Sequence, residues 1–118
     1  MCKLVQFDKD KYVADIKLRY IQNIAEQAKK TKKIDRIMLF GSSTEERCTE
    51  MSDIDIAVFG RPTKARYLDS REFRTFQNDI FSFDWDQDYD ILYFSESNKE
   101  MGNILHDINQ GVEIYRRS

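Results

Sequence analysis

The chain has 118 residues, of which 41% are hydrophobic, with Phe 8, Tyr 6 and Trp 1. That apolar content suffices for one packed core and excludes a disordered or collagen-like chain. Lys+Arg of 19 against Asp+Glu of 21 leaves a net charge of -2. That balance excludes a strongly basic protein that holds nucleic acid by charge alone, so no nucleic-acid partner is expected. No apolar run approaches ~18 residues, and Met1-Cys2-Lys3-Leu4 opens no apolar leader, so a cytoplasmic protein with no membrane role is expected. Cys2 and Cys48 have neither metal-site nor disulfide spacing and read as reduced thiols.

In chain order, Val13, Ile16, Tyr20, Ile24 and Ala28 recur at spacings of three and four, which predicts an amphipathic helix over Lys11–Lys30. Asp8 or Asp10 is its expected cap, and Lys29, Lys30, Lys32 and Lys33 suit its negative end as a solvated charge cluster. Ile34–Phe40 (IDRIMLF) reads as a buried strand stopped by Gly41-Ser42-Ser43. Thr44–Ser52 reads as a short helix or turn, and Asp53–Phe59 (DIDIAVF) as a second strand. So few residues join these strands that an antiparallel pair is expected, which brings the Gly-Ser turn and Asp53/Asp55 to one sheet edge. Asp69 and Glu72 resemble a capping box before a helix whose face carries Phe73, Phe76, Ile80 and Phe83. The acidic connection Asp84–Asp88 leads to a third strand, Tyr89–Phe94. A last helix, opened by a Ser97/Glu100 capping box, carries Met101, Ile104, Leu105 and Ile108 and ends at Gly111. Val112–Tyr115 is a short final strand. The expected fold is α/β (α+β), a small mixed sheet flanked by helices. A single domain spans residues 1–118, with the N-terminal helix at about 8–30 and the core at about 34–115.

Residues i and i+2 of a strand share a face, so Asp53 and Asp55 project together with Ile54 buried behind them. Paired carboxylates repel unless a proton or cation lies between them, and Mg²⁺ with substrate phosphates answers that need. Asp90, if its strand runs parallel beside the second, adds a third carboxylate; Asp88 is its rival. Gly41 and Ser42 suit close approach of a phosphate. Asp84 and Asp86 read as a solvated loop, and His106 as a core-edge or surface residue.

Gly41-Ser42, ten intervening residues, Asp53-x-Asp55 and the strand YDILYF together resemble the signature of the nucleotidyltransferase superfamily that includes DNA polymerase beta. The close INQGVEIY, Ile108–Tyr115, is similar to that of its minimal stand-alone members. The resemblance implies a nucleotidyltransferase fold and transfer of a nucleoside monophosphate, AMP from ATP, to a hydroxyl. It implies Asp53, Asp55 and Asp90 as metal ligands and catalytic acids for Mg²⁺, with Asp90 also activating the acceptor. Gly41, Ser42 and Ser43 would be the phosphate-binding turn. It further implies a HEPN-type partner protein, modified on a tyrosine, with this chain as the antitoxin. An acceptor pocket for a small hydroxylated molecule such as an aminoglycoside would have to come from a homo-oligomer. A non-catalytic module that masks a toxin is the other reading. Minimal members often carry a basic residue where Thr44, Glu45 and Glu46 stand here. Arg47 either reaches a phosphate in its place or pairs on the surface with Glu46 or Glu50.

Overall fold

The computed structural model describes residues 2–31, 33–61, 64–95 and 110–117. The expected last helix, from Ser97 to Ile108 and including His106, lies outside the described residues. Elsewhere the chain builds strands β1 (Leu4–Asp8) and β2 (Lys11–Ala14), helix α1 (Leu18–Ala28), strands β3 (Arg36–Phe40) and β4 (Ile54–Gly60), helices α2 (Lys64–Leu68) and α3 (Arg71–Phe83), and strands β5 (Tyr89–Ser95) and β6 (Val112–Arg116). The main sheet has the order β5-β4-β3-β6. Its β4/β5 pair is parallel, and β3 is antiparallel to both β4 and β6. The mixed sheet flanked by helices is therefore the α+β architecture that the alternating apolar runs predict.

The N-terminal segment departs from the helix expected at about 8–30. Lys11–Ala14 pairs antiparallel with Leu4–Asp8, and the helix begins only at Leu18 after a 3₁₀ turn over Asp15–Lys17. Tyr12 and Val13 are better strand than helix formers. Val13 is buried from the strand, so its helical spacing to Ile16 is a coincidence. Asp8 consequently precedes a tight turn of Lys9 and Asp10, with Lys9 at a positive φ of 36°, and neither aspartate caps a helix. Within α1 the stripe holds, for Tyr20, Ile21, Ile24 and Ala28 are all buried.

The capping box expected at Asp69 and Glu72 is replaced by a neighbour. Ser70 is the N-cap of α3, its Oγ accepting the Phe73 N–H at 3.1 Å. The short helix α2 is not among the elements that periodicity predicts. It is too short to show a period, yet its Tyr67 is fully buried and stacks on Tyr93 at 4.1 Å between ring centroids.

The sheet divides two apolar clusters. Ile37, Leu39, Ile54, Ile56, Val58 and Tyr93 join residues of α1, α2 and α3 in the larger one. Met38, Ala57 and Phe59, with Phe40, Leu92 and Phe94, form a smaller one from the alternate positions. Because Ile24 is fully buried in the larger cluster, Ile24→Ala is expected to cost about 2–5 kcal/mol. Urea unfolding of the two proteins measures it.

Candidate functional site

Strands β4 and β5 are joined through α2 and α3, a connection long enough to let them run parallel. In their register Ile54 faces Tyr89 and Asp55 faces Asp90. Paired residues of neighbouring strands point to the same side of a sheet, so the two carboxylates share one face at the entry end of both strands. Ile54 is fully buried behind them. Asp53 lies just before β4, two residues from Asp55, and is exposed, as is Asp90; Asp55 is half-buried. Strand β3 runs the other way and ends with Phe40 opposite Asp55. The Gly41 turn therefore arrives at the same edge.

Burial, the Asp90 charge and the Asp53 charge, in that order, hold the Asp55 carboxyl above its ordinary value, with Arg47 opposing them. The three acids thus act on one another. Gly41 sits at φ 73°, and a Cβ there would run into the Asp55 carboxylate. Both the left-handed conformation and the close approach require glycine.

Gly41 opens a single 3₁₀ turn, Gly41–Thr44, closed by the Glu45 N–H donating to the Ser42 carbonyl at 2.9 Å. The Thr44 hydroxyl donates to the Gly41 carbonyl at 2.9 Å. Ser42 is half-buried. Ser43 is fully buried, and its Oγ is an orphan, with no hydrogen-bond partner. Arg47 settles between its two expected positions in an unexpected way. It pairs with Glu45, not Glu46 or Glu50, while remaining close enough to act on Asp55.

The neighbouring acids have other tasks. Asp84 does not belong to a solvated loop. The Tyr20 hydroxyl donates to it at 2.5 Å, the Asp86 N–H at 3.0 Å, and Arg19 lies 3.6 Å away. The Tyr20 hydrogen bond, then that of Asp86, holds its carboxyl below the usual range. Asp86 is exposed, as expected. Asp88 contributes its backbone, its carbonyl accepting the Ile54 N–H at 3.0 Å. Asp90, not Asp88, is the β5 acid that acts on Asp55.

Two residues beside this edge are not among the candidates that motif and spacing single out. Lys17 is 1% and Gln87 4% exposed, and the Lys17 ammonium donates to Gln87 Oε1 at 2.6 Å. They line a cleft of about 430 Å³ together with Tyr20, Glu50, Met51 and Asp84. A signal for Lys17 existed, since it stands three residues before Tyr20 and seven before Ile24 on the buried stripe.

The donor set suits a hard cation. Asp53, Asp55 and Asp90 offer only carboxylate oxygens, and burial together with the other two disfavours Asp55 as an anion. Among the described residues no group of three or more His, Cys, Asp or Glu side chains is placed so as to hold a metal ion. Mg²⁺ keeps several waters and uses few protein ligands beside substrate phosphates, so two or three carboxylates at one edge are the kind of donors it takes.

A carboxyl whose value is raised by folding is destabilising once ionised. Its contribution is best below the unfolded-state value near 4 and is lost as pH rises through the folded-state value. Asp55→Asn is therefore expected to raise the melting temperature at pH 7 relative to the parent protein. The advantage should vanish near pH 3, where Asp55 is protonated. Melting curves at both pH values, with Mg²⁺ chelated, check this.

Comparison with known proteins gives a family. The model of the Polymerase beta, Nucleotidyltransferase family matches residues 22–118. No curated protein sequence matches the chain. Among solved structures, a mutant of the MntA–HpeT toxin–antitoxin pair is similar at TM-score 0.58 and 22% identity, covering 83% of this chain and 74% of that one. A chain from the complex of the tri-AMPylated Shewanella oneidensis HEPN toxin with MNT antitoxin gives 0.53 and 22%, covering 86% and 73%. A Sulfolobus solfataricus protein proposed to be a nucleotidyltransferase gives 0.54 and 18%, covering 87% and 86%. At such identities the structures speak for the shared fold. The family match reaches from α1 to the end of the chain and takes in the Gly41 turn and all three acids, and on it the chain belongs to the polymerase beta-type nucleotidyltransferases.

Proposed function

We propose that this chain transfers a nucleoside monophosphate, AMP from ATP, to a hydroxyl of a HEPN-type partner protein in the cytoplasm, as the antitoxin of a toxin–antitoxin pair. The observation that carries the reading is the parallel register that sets Asp90 beside Asp55, with Asp53 two residues away and Gly41 packed against the Asp55 carboxylate. The similarity to structures of toxin–antitoxin complexes supports the choice of partner.

In this reading Asp53, Asp55 and Asp90 would hold Mg²⁺, which when bound neutralises the triphosphate and polarises the phosphate under attack. Asp53 and Asp55 orient the nucleotide end of the site. Asp90, exposed at the start of β5, accepts the proton of the acceptor hydroxyl. That hydroxyl oxygen then bonds to the α-phosphorus as the bond to pyrophosphate breaks. Glycine at position 41 makes room for the Asp55 carboxylate against the turn, since a Cβ there would run into it. The Ser43 Oγ is buried with no internal partner and would reach a phosphate oxygen only if the turn opened. Arg47 is a weaker candidate, because Glu45 already neutralises its guanidinium. That ion pair is also what favours the second reading, a module that masks a toxin without catalysis.

Incubation with labelled ATP, Mg²⁺ and the protein encoded by the adjacent gene separates the two. Catalysis predicts label on the partner, with an initial rate at least about 100-fold lower for Asp53→Ala plus Asp55→Ala, the scale on which loss of charge stabilisation slows an enzyme. Tight binding without label, unchanged in the double variant, establishes masking and refutes transfer.

A further inference from the structure

The ladder between β4 and β5 begins at Ile54 and Tyr89. Asp53 stands outside it, so sheet hydrogen bonding alone does not set where that carboxylate lies relative to Asp90. A second set of bonds lies upstream. The Gln87 Nε2 donates to the Ser52 carbonyl at 3.0 Å and to the Asp88 carbonyl at 2.7 Å. One amide group thus ties the residue before Asp53 to the residue two before Asp90. The Lys17 ammonium completes the arrangement from the 3₁₀ turn ahead of α1, donating to Gln87 Oε1 at 2.6 Å and to the Glu50 carbonyl at 3.1 Å.

The orientation of the Gln87 amide is dictated by its surroundings. Two carbonyl acceptors face its nitrogen and an ammonium donor faces its oxygen, so the reversed amide would oppose like to like at every contact. Both side chains are buried, where an unsatisfied polar group is costly. Burial lowers the Lys17 ammonium's value, and the charges of Cys48, Asp53, Glu50 and Asp84 oppose that without reversing it; its place here rests on its two hydrogen bonds.

We infer that Gln87, oriented by Lys17, is a positioning residue that fixes the separation of Asp53 from Asp90 and so tunes the affinity of the acid edge for a divalent cation. The use of that cation in nucleotidyl transfer rests on the proposed function; the positioning itself does not. Supporting residues behind metal ligands typically change metal affinity by about 10–100-fold when altered.

The test compares the intact chain with Gln87→Glu and Gln87→Met. Gln87→Glu keeps an acceptor for Lys17 but turns an oxygen toward the Ser52 and Asp88 carbonyls. Gln87→Met removes every bond. Mn²⁺ affinity is read from the electron paramagnetic resonance of the free ion, fold from far-ultraviolet circular dichroism, and kcat from partner labelling at saturating Mg²⁺ and ATP. The expected result is a folded Gln87→Met protein with Mn²⁺ affinity lowered about 10-fold or more and, where the parent labels its partner, a lowered kcat; Gln87→Glu, whose added charge itself attracts the cation, is expected to lose less. Lowered Mn²⁺ affinity supports the inference even if the parent labels nothing, in which case the transfer reading alone falls. Folded variants that bind Mn²⁺ as the parent does overturn the inference and leave the transfer reading standing. Failure of the parent to bind Mn²⁺ overturns both. If neither variant folds, the network is scaffold and the inference is overturned.

Discussion

The parallel register of β4 against β5 is the constraint on which the rest of the molecule depends. It sets two carboxylates, Asp55 and Asp90, on adjacent strands and the same face, and like charges at that spacing raise the free energy of the fold. The opposite face supplies the compensation. Ile54, Ile56 and Val58 of β4 and Tyr93 of β5 are buried among residues of α1, α2 and α3. Slipping either strand by one residue would turn those side chains to the wrong face. The apolar cluster therefore locks the acids together, and it does so without touching them.

The same geometry makes the Gly41 turn exacting. Strand β3 delivers Gly41 against the Asp55 carboxylate at a positive φ. A side chain here is excluded twice, by backbone conformation and by space. Around this edge the polar network is uneven. Gln87 uses both ends of its amide and Lys17 two of its three donors, whereas the buried Ser43 hydroxyl finds no partner. Satisfied groups hold a shape; the Ser43 hydroxyl is a buried polar group left without a partner.

Membership in a nucleotidyltransferase family fixes the fold, while chemistry resides in the side chains grafted onto it. Here the acids occupy the edge together, but the turn after Gly41 carries Glu45 and Glu46, and Arg47 is engaged by Glu45. The turn thus carries two carboxylates, one of them paired with Arg47.

Much of the architecture was legible in the residues. Apolar-rich runs of strand length at 34–40, 53–59 and 89–94 located β3, β4 and β5 to within two residues, because strands that bury much of their surface concentrate apolar residues. The short β3–β4 connection dictated an antiparallel pair, and the i, i+2 spacing placed Asp53 and Asp55 on one side. What the residues left undecided was whatever depends on partners distant in the chain. The β1–β2 hairpin overrode a helical period at Val13 because Leu4–Asp8 was available to pair with Lys11–Ala14. Ser70 took the cap of α3 from Asp69, and α2 was too short to show a period. Only the folded sheet put Asp90 beside Asp55, Glu45 on Arg47 and Lys17 on Gln87, seventy residues away along the chain. Local periodicity reports which face of an element is apolar; which polar groups meet is decided when those faces are buried and each donor must find an acceptor wherever the chain has carried one.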